Sequence, residues 1–177
     1  MNLEFIKYRL LPLSLATIVI LIDQTTKLMV LSKLSYRQPV EILGDFLRFT
    51  LIQNPAIAFS IGRSIQPDIL RISLLILPLI VLIIIIGYYF LTNELSQFQR
   101  WLISLLLGGG IGNYIDRLFR PSGVVDFIDV KFFGIFGWER YPTFNIADSS
   151  VVIAGILLMI SYSLSNKNKQ RRSPDYK

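Results

Sequence analysis

Acidic side chains are the groups in this sequence that could carry out acid–base chemistry. The chain holds 12 Asp and Glu residues but neither histidine nor cysteine, which excludes the commonest general base, thiol nucleophiles and thiolate metal sites. Asp126 stands between two valines and a Phe-Ile pair, and Asp148 opens an apolar run that begins at Val151. Carboxylates in apolar surroundings are costly, so both aspartates are candidate catalytic residues.

Each of these aspartates also has an ordinary structural explanation. A helix that begins near Asn145 favours an acid such as Asp148 in its first turns by about 0.3–1 kcal/mol, and Thr143 or Asn145 is a suitable cap. Asn145 lies three residues before Asp148, so on a helix the two side chains share a face. A loop aspartate such as Asp126 is usually solvated. The pattern alone leaves these explanations open beside a catalytic one.

The elements that must position these residues are predicted to be membrane helices in a single domain of 177 residues. The hydrophobic fraction of 53% and the mean hydropathy of +0.54 are typical of an integral membrane protein. The first apolar block is predicted to be a retained helix, because it is long and lacks a small-residue cleavage site. Four blocks approach the length that crosses a bilayer, at about residues 10–31, 69–91, 101–118 and 145–164.

Basic residues indicate the orientation of these blocks. With the N-terminus inside, the cytoplasmic segments hold eight Lys and Arg residues, five of them in a basic tail at 166–177. The outer loops, at about 32–68 and 119–143, are longer and hold seven. The higher density predicts that both termini are cytoplasmic. The tail also explains the net charge of +6 as a membrane-surface anchor, so the charge gives no reason to expect nucleic-acid binding.

Both outer loops carry structural patterns of their own. Residues 39–53 show partial alternation of apolar and polar side chains, which predicts a short strand pair lying on the membrane. The segment after Asp126 is rich in Phe, Trp and Tyr, which is typical of an interfacial amphipathic segment with aromatic anchors.

The predicted topology brings the two candidate aspartates to one membrane face. The third helix runs outward and ends before Asp126, and the fourth helix returns from Asp148. Two like charges a few ångströms apart cannot both ionise, so one carboxyl of such a pair keeps a proton. The ionised member can take a proton from water while the other donates one to a scissile carbonyl. The sequence therefore predicts an aspartyl dyad.

Other polar residues fall in or near the predicted helices. Asp23 and Lys27 are four residues apart, so they can form an ion pair or take a direct chemical part. Asn54 precedes a proline, which fits either a turn or a substrate-facing amide. Asn113 and Asp116 share a helix face and can hydrogen-bond to a neighbouring helix.

Five motifs occur in order along this chain: DQTTK, NPAIAFS, GNYIDR, VVDFID and FNIADSS. Together they cover about residues 23–155, and in this order the sequence resembles the lipoprotein signal peptidase (signal peptidase II) family. The resemblance implies a bacterial inner-membrane aspartyl protease that removes the signal peptide from prolipoproteins, cutting before a cysteine that carries diacylglycerol. The implied fold is all-α with four transmembrane helices, a small extracytoplasmic β-sheet and a mobile interfacial outer helix.

The same resemblance implies roles for individual residues. It also implies prolipoprotein substrates, membrane lipids as surroundings, a monomer, an extracytoplasmic active site, and no metal, cofactor or nucleic acid. The catalytic pair is Asp126 and Asp148, the substrate-holding residues are Asn54, Asn113, Arg117 and Asn145, and the supporting residues are Asp23, Lys27 and Asp116.

Two stretches depart from the family pattern. The family usually has glycine two residues after the loop asparagine, where this chain has Ala56 followed by Ile57. Glycine permits positive φ and close backbone approach, so the conformation of that loop is open. The stretch at 118–125 is also a residue longer than expected.

Two rival functions would use the same acids differently. A proton-coupled carrier would relay protons through Asp23, Asp116 and Asp148, but the acids collect at one membrane face rather than along the whole depth. A divalent-metal protease would use the carboxylates as ligands, although sites made only of oxygen ligands suit Mg²⁺ or Ca²⁺ better than hydrolytic Zn²⁺.

Overall fold

Four long helices and a small sheet make up the chain in the computed structural model, which describes residues 3–55 and 67–172. A short helical segment at residues 3–10 leads into the first long helix. The helices are α1 (Leu13–Lys33), α2 (Pro67–Leu91), α3 (Gln97–Phe119) and α4 (Ile146–Arg172), and the strands are β1 (Pro39–Leu43), β2 (Leu47–Asn54) and β3 (Val124–Val130). The predicted mostly helical fold with a small sheet is confirmed.

Three stretches of helix within the described residues are long and apolar enough to cross a membrane: Leu3–Lys33, Ile72–Leu91 and Ile146–Ser165. Helix α3 is not among them. It carries Arg100, Asp116 and Arg117, and its glycines contribute little hydrophobicity. The corresponding block of the sequence, at about 101–118, has Asn113, Asp116 and Arg117 at its far end.

Helix α3 lies at the centre of the bundle, and consecutive glycines let three helices approach it. A Cβ at Gly108 would come within 2.8 Å of Val19 in α1, and one at Gly110 within 2.9 Å of Leu82 in α2. A Cβ at Gly109, between them, would meet the main chain of Ala147 in α4. The glycine run therefore sets how closely α1, α2 and α4 pack on α3.

The sheet lies beyond one end of the bundle and has the strand order β1–β2–β3, with both pairs antiparallel. The predicted strand pair at 39–53 corresponds to β1 and β2. The third strand was not predicted, because a carboxylate among apolar side chains gives no clear alternation. In the register of β2 and β3, Ile52 lies opposite Asp126.

The stretch at 118–125, which the sequence suggests is longer than usual, contains the turn between α3 and β3. Gly123 has φ +93° and donates its N–H to the carbonyl of Arg120 at 3.0 Å. A side chain at Gly123 would meet the carbonyl of Asn54, so the turn packs directly on the end of β2. This tight turn leads directly into β3, which carries Asp126.

The predicted interfacial outer helix is wrong. Residues 120–145 are all described, and they contain β3, extended chain and one 3₁₀ turn at Ile135–Gly137. Gly134 and Gly137 both have positive φ, which ends helical structure on either side of that turn. The chain then returns along β3, where Tyr141 donates its N–H to Val130 and Phe144 donates to Ile128.

The loop prediction at Ala56 and Ile57 lies outside the described residues. Of the predicted basic tail, residues 166–172 lie in the last turns of α4, which ends at Arg172, and residues 173–177 lie outside the described residues.

Candidate active site

The start of α4 is built around a reciprocal pair of hydrogen bonds between Asn145 and Asp148. The Asp148 N–H donates to Asn145 Oδ1 at 2.9 Å, and the Asn145 N–H donates to Asp148 Oδ2 at 3.1 Å. This is a capping box, in which two otherwise unpaired N–H groups of the first turn are satisfied. The ordinary capping explanation for Asp148 therefore holds, but it uses only one of the two carboxylate oxygens.

Asn145 also connects Asp148 to Asp126. The Asn145 side-chain amide donates to Asp126 Oδ1 at 2.8 Å, while its backbone N–H holds Asp148 as above. The other oxygen of Asp148 accepts from Asn113 Nδ2 at 2.7 Å. The asparagine that caps α4 thus touches both candidate carboxylates.

Asp126 projects from β3 into this polar cluster and is 4% exposed. Its second oxygen accepts a hydrogen bond from Asn54 Nδ2 at 3.3 Å, from the end of β2. Burial, and then the neighbouring negative charge of Asp148, raise the pKa of Asp126 to about 7. The carboxyl pair therefore keeps a proton at neutral or lower pH.

A buried ion network lies beneath the two carboxylates. Lys27 Nζ is 2.9 Å from Asp23 Oδ2 and 2.9 Å from Asp116 Oδ2, and all three side chains are fully buried. Lys27 also donates to Asn113 Oδ1 at 2.9 Å, and the same oxygen accepts from Asn145 Nδ2 at 3.1 Å. These two donors orient the Asn113 amide so that its own NH₂ group faces Asp148.

The two acids of this network hold the residues that come directly before the candidate aspartates. Asp23 accepts the N–H of Ala147 at 3.0 Å, and Asp116 accepts the N–H of Val125 at 3.0 Å. Because one lysine bridges both acids, the backbone positions of the two aspartate-bearing elements are linked through a single cation. The predicted Asp23–Lys27 ion pair is present, and it forms part of this larger structure.

Arg117 is the sequence-predicted site residue that the structure leaves without a bond to the cluster. It lies one turn after Asn113 on α3, is partly buried, and is within electrostatic range of Asp126 and Asp148. Among the described residues no hydrogen bond or ion pair involves its guanidinium group. Its donors are therefore free to bind a ligand.

Sequence reasoning missed three residues that complete the surroundings of the site. Gln24 donates to both Asp23 and Asp116 at 3.0 Å. Arg120 pairs with Asp116 one turn away, a contact that the i, i+4 spacing of acid and base could have indicated. Asp129, near the end of β3, accepts from Arg48, Thr50 and Arg140, and its partners are too distant in sequence to be found by pattern.

A cavity of about 370 Å³ opens beside Asp148. Asp148 and Ser149 are its polar residues, and Val152 and Ile153 form its wall on α4. The rest of its lining comes from β3 and the segment after it: Val130, Phe132, Tyr141 and Phe144.

The chain is similar throughout its length to proteins of one family. The model of the family described as signal peptidase (SPase) II matches residues 15–164. The lipoprotein signal peptidase of Treponema pallidum (strain Nichols) is 46% identical over 162 residues, covering 91% of this chain and 87% of that protein. The lipoprotein signal peptidase of Treponema denticola is 46% identical over 165 residues, covering 93% and 95%.

The fold comparison agrees with the sequence comparison. A solved structure described as a bacterial membrane enzyme superposes with a TM-score of 0.75 at 30% identity, covering 94% of this chain and 93% of that one. The match of the family model over most of the chain, together with relatives at 46% identity, shows that this protein belongs to the signal peptidase II family.

Proposed function

We propose that this protein is a membrane aspartic endopeptidase that removes the signal peptide from prolipoproteins, cleaving before a cysteine that carries diacylglycerol. Family membership and the names of the relatives support the activity. The observation that carries the mechanism is Asn145, which hydrogen-bonds one buried carboxylate through its side chain and a second through its backbone.

Asp126 and Asp148 are the catalytic pair in this proposal. The ionised carboxyl takes a proton from a water molecule, and the resulting oxygen nucleophile attacks the scissile carbonyl carbon. The protonated carboxyl donates its proton to the carbonyl oxygen, which gives a neutral tetrahedral intermediate. Collapse of this intermediate breaks the C–N bond, and the leaving amine takes up a proton from the pair. The proton belongs to the pair rather than to one residue.

The polar residues around the pair are proposed to hold the substrate. Asn54, Asn113 and Asn145 already donate to the two carboxylates, so they fix the carboxyl planes and offer amide groups to a peptide backbone. Arg117 has free donors for a substrate carbonyl. The network of Asp23, Lys27 and Asp116, described above, supports the elements that carry the catalytic residues.

The arrangement in the membrane is also proposed. Helix α3 is taken as a fourth span, because its polar residues Arg100 and Asp116 face the other helices rather than lipid. Both termini then lie in the cytoplasm, and the sheet and the carboxyl pair lie at the extracytoplasmic face of the inner membrane. The protein acts as a monomer, and its substrate enters sideways from the bilayer.

Cleavage of a defined substrate by the pure protein tests the function. A synthetic prolipoprotein peptide with a diacylglyceryl cysteine is incubated in detergent, and mass spectrometry identifies the new N-terminus. The wild type is expected to release a product that begins with the lipid-modified cysteine, and Asp126→Asn and Asp148→Asn to release none.

A matched control removes a carboxylate that lies away from the site. Glu139→Gln changes a side chain that is 72% exposed, and it is expected to retain full activity. Full cleavage by either folded Asp→Asn variant would rule out the dyad, and cleavage at another bond would rule out the proposed specificity.

A further inference from the structure

We propose that Arg120 is a positioning residue for the reaction, because it holds the carboxylate of Asp116, which in turn holds the residue before Asp126. The inference rests on the proposed function, since it names a residue that sets the geometry of the proposed catalytic pair. Arg120 lies between the motifs GNYIDR and VVDFID, so the family resemblance assigns it no role.

Four donors occupy the carboxylate of Asp116. Its Oδ1 atom accepts from Gln24 at 3.0 Å and from the guanidinium group of Arg120. Its Oδ2 atom lies 2.9 Å from Lys27 Nζ and accepts the N–H of Val125 at 3.0 Å. A carboxylate has about four acceptor positions, so this one is saturated and cannot rotate without breaking a bond. The contacts on Oδ1 therefore fix the direction in which Oδ2 meets Val125.

The main chain of Val125 is held on both sides. Val125 is fully buried, its N–H donates to Asp116, and its carbonyl accepts from Asn145 Nδ2 at 3.3 Å. Because neighbouring Cα atoms are held about 3.8 Å apart, a shift of Val125 is passed on to Asp126. The spacing of Asp126 from Asp148 thus depends on the bond between Asp116 and Val125.

The main chain and the side chain of Arg120 both stabilise the turn between α3 and β3. Its N–H donates to the carbonyl of Asp116 at 2.8 Å, and its carbonyl accepts the N–H of Gly123 at 3.0 Å. Its side chain returns to the carboxylate of Asp116. The chain from Asp116 to Val125 is therefore a closed loop whose ends meet at one carboxylate and whose middle is tied to the same carboxylate by Arg120.

Arg120 also balances the charge of the buried network. Asp23 and Asp116 bring two acidic groups and Lys27 one basic group, and all three side chains are fully buried. The guanidinium group of Arg120, on a side chain that is 18% exposed, supplies the second positive charge. Opposite charge favours the ionised form of a carboxylate, and this form accepts at every position. Arg120 therefore favours the form of Asp116 that holds Val125.

Steady-state kinetics of Arg120→Gln test the assignment with a diacylglyceryl prolipoprotein peptide. We expect kcat to fall by about 10–10²-fold, because a small displacement of a catalytic group can cost this much. KM should stay within about twofold of the wild-type value, because the residues proposed to hold the substrate keep their contacts. Arg120→Lys keeps a cationic donor one turn from Asp116, so it should restore kcat to within about threefold of the wild type.

Hydrogen exchange reports the same contact without turnover. The peptide that contains Val125 should exchange its amide hydrogens faster in Arg120→Gln than in the wild type, because the N–H of Val125 loses a fixed acceptor. Arg120→Lys should show wild-type exchange. Unchanged exchange in Arg120→Gln would overturn the proposal.

The matched control is Arg48→Gln. Arg48 is also an arginine of low exposure, 23%, and it pairs with Asp45 and Asp129. It lies opposite Asp129, further along β3 than Asp126, so the substitution removes comparable ion pairs without touching the carboxylate of Asp116. This variant is expected to keep the wild-type kcat. An equal fall of kcat in both glutamine variants would indicate a general loosening of the sheet and overturn the proposal.

A double-mutant cycle shows whether Arg120 acts through Asp116. The variant that combines Asp116→Asn with Arg120→Gln loses one negative and one positive charge, so it is expected to fold even if Arg120→Gln alone does not. In the Asp116→Asn background, Arg120→Gln should change kcat and the exchange rate of the Val125 peptide by less than about twofold. A further loss as large as in the wild-type background would mean that Arg120 acts elsewhere.

The failures of the two proposals are distinguishable. If the wild type does not cleave the peptide, the proposed function fails and the positioning role fails with it. If the wild type cleaves it, kcat is compared per folded molecule, with the folded fraction taken from thermal unfolding. A wild-type kcat in Arg120→Gln would then show that Arg120 has only a structural role, and the positioning role alone would be overturned.

Discussion

Asn145 donates a side-chain hydrogen bond of 2.8 Å to Asp126, although the two residues come from a helix start and a strand. The same residue caps α4 through its Oδ1 atom. Capping and positioning therefore use different atoms of one side chain, so they can be separated by substitution.

Asn145→Ser is expected to keep the helix cap and lose the catalytic contact. Serine caps helices about as well as asparagine, but it lacks the amide that reaches Asp126. We expect kcat to fall by about 10²-fold or more, and the free energy of unfolding to fall by about 1–3 kcal/mol because buried acceptors lose their amide donor. Asn145→Ala also loses the cap and should be less stable than the serine variant by roughly 1 kcal/mol more. Cleavage rates and thermal unfolding of the two variants check this, and equal activity in serine variant and wild type would contradict it.

The pH dependence of cleavage should report the shared proton. The pKa of Asp126 is raised to about 7 by burial and by the charge of Asp148. Above that pH the pair loses the proton that it donates to the scissile carbonyl, so kcat/KM is expected to fall as the pH rises through about 7. Initial rates across the pH range, with the melting temperature recorded at each pH, provide the measurement. A profile that stays flat well into the alkaline range, with the protein folded, would count against the dyad.

The same raised pKa of Asp126 predicts that the folded protein loses stability as the pH rises. An aspartate with an ordinary unfolded-state pKa of about 4 ionises more readily when the chain unfolds, so its contribution to stability is complete below about pH 4 and declines as the pH rises through 7. Asp126→Asn removes this decline. At alkaline pH we expect the variant to be more stable than the wild type by about 1–2 kcal/mol. This is less than the free energy that corresponds to the full shift in the pKa of Asp126, because the amide keeps only one acceptor oxygen. Thermal unfolding at low and high pH measures the difference, which should reverse in acid, where the wild-type carboxyl is neutral and the variant has only lost an acceptor oxygen.

Lys27→Met should unfold or strongly destabilise the protein. It leaves the buried carboxylates of Asp23 and Asp116 facing each other without their shared cation, at a cost of about 3–5 kcal/mol. Lys33→Met at the exposed end of α1 is the control and should change stability by less than about 0.5 kcal/mol. Denaturant unfolding in detergent compares the two, and near-identical midpoints would show that the network contributes little.

The glycine run of α3 gives a packing prediction with an internal control. Gly109→Ala drives a methyl group into the main chain of Ala147 and to 2.9 Å from Val151, which should destabilise the bundle by roughly 1–3 kcal/mol. Gly155→Ala in α4 adds the same methyl group where nothing lies within 4 Å, and it should be neutral or slightly stabilising. Thermal stability distinguishes them. Activity should follow stability, because Ala147 directly precedes Asp148.

Much of the helical fold could be predicted from the sequence because its signals are local. Long apolar blocks define helices within a few residues, and the spacing of Asp23 and Lys27 is enough to indicate an ion pair. The alternating directions of the predicted helices placed Asp126 and Asp148 at the same membrane face. Their catalytic roles stay a prediction until the substitutions above are made.

The parts that could not be predicted depend on contacts between distant segments. Strand β3 pairs with residues about 80 positions earlier, and its apolar run with two acids does not alternate clearly. The outer helix was expected from amphipathic composition. The segment instead forms β3 and a short 3₁₀ turn, where Gly134 and Gly137 have positive φ that a continuous helix does not allow. The support of Asp126 by Asp116 runs through the backbone N–H of Val125, a contact for which side-chain patterns give no signal.

The four carboxylate oxygens of Asp126 and Asp148 share a further property. Each oxygen accepts one N–H, from the Asn54, Asn113 or Asn145 side chain or the Asn145 backbone. A carboxylate oxygen has two lone pairs, so each of the four retains one after its anchoring bond. Each carboxyl can therefore hold a proton on either oxygen while its anchoring bond stays in place. The three asparagines fix the planes of the two carboxyl groups in both protonation states.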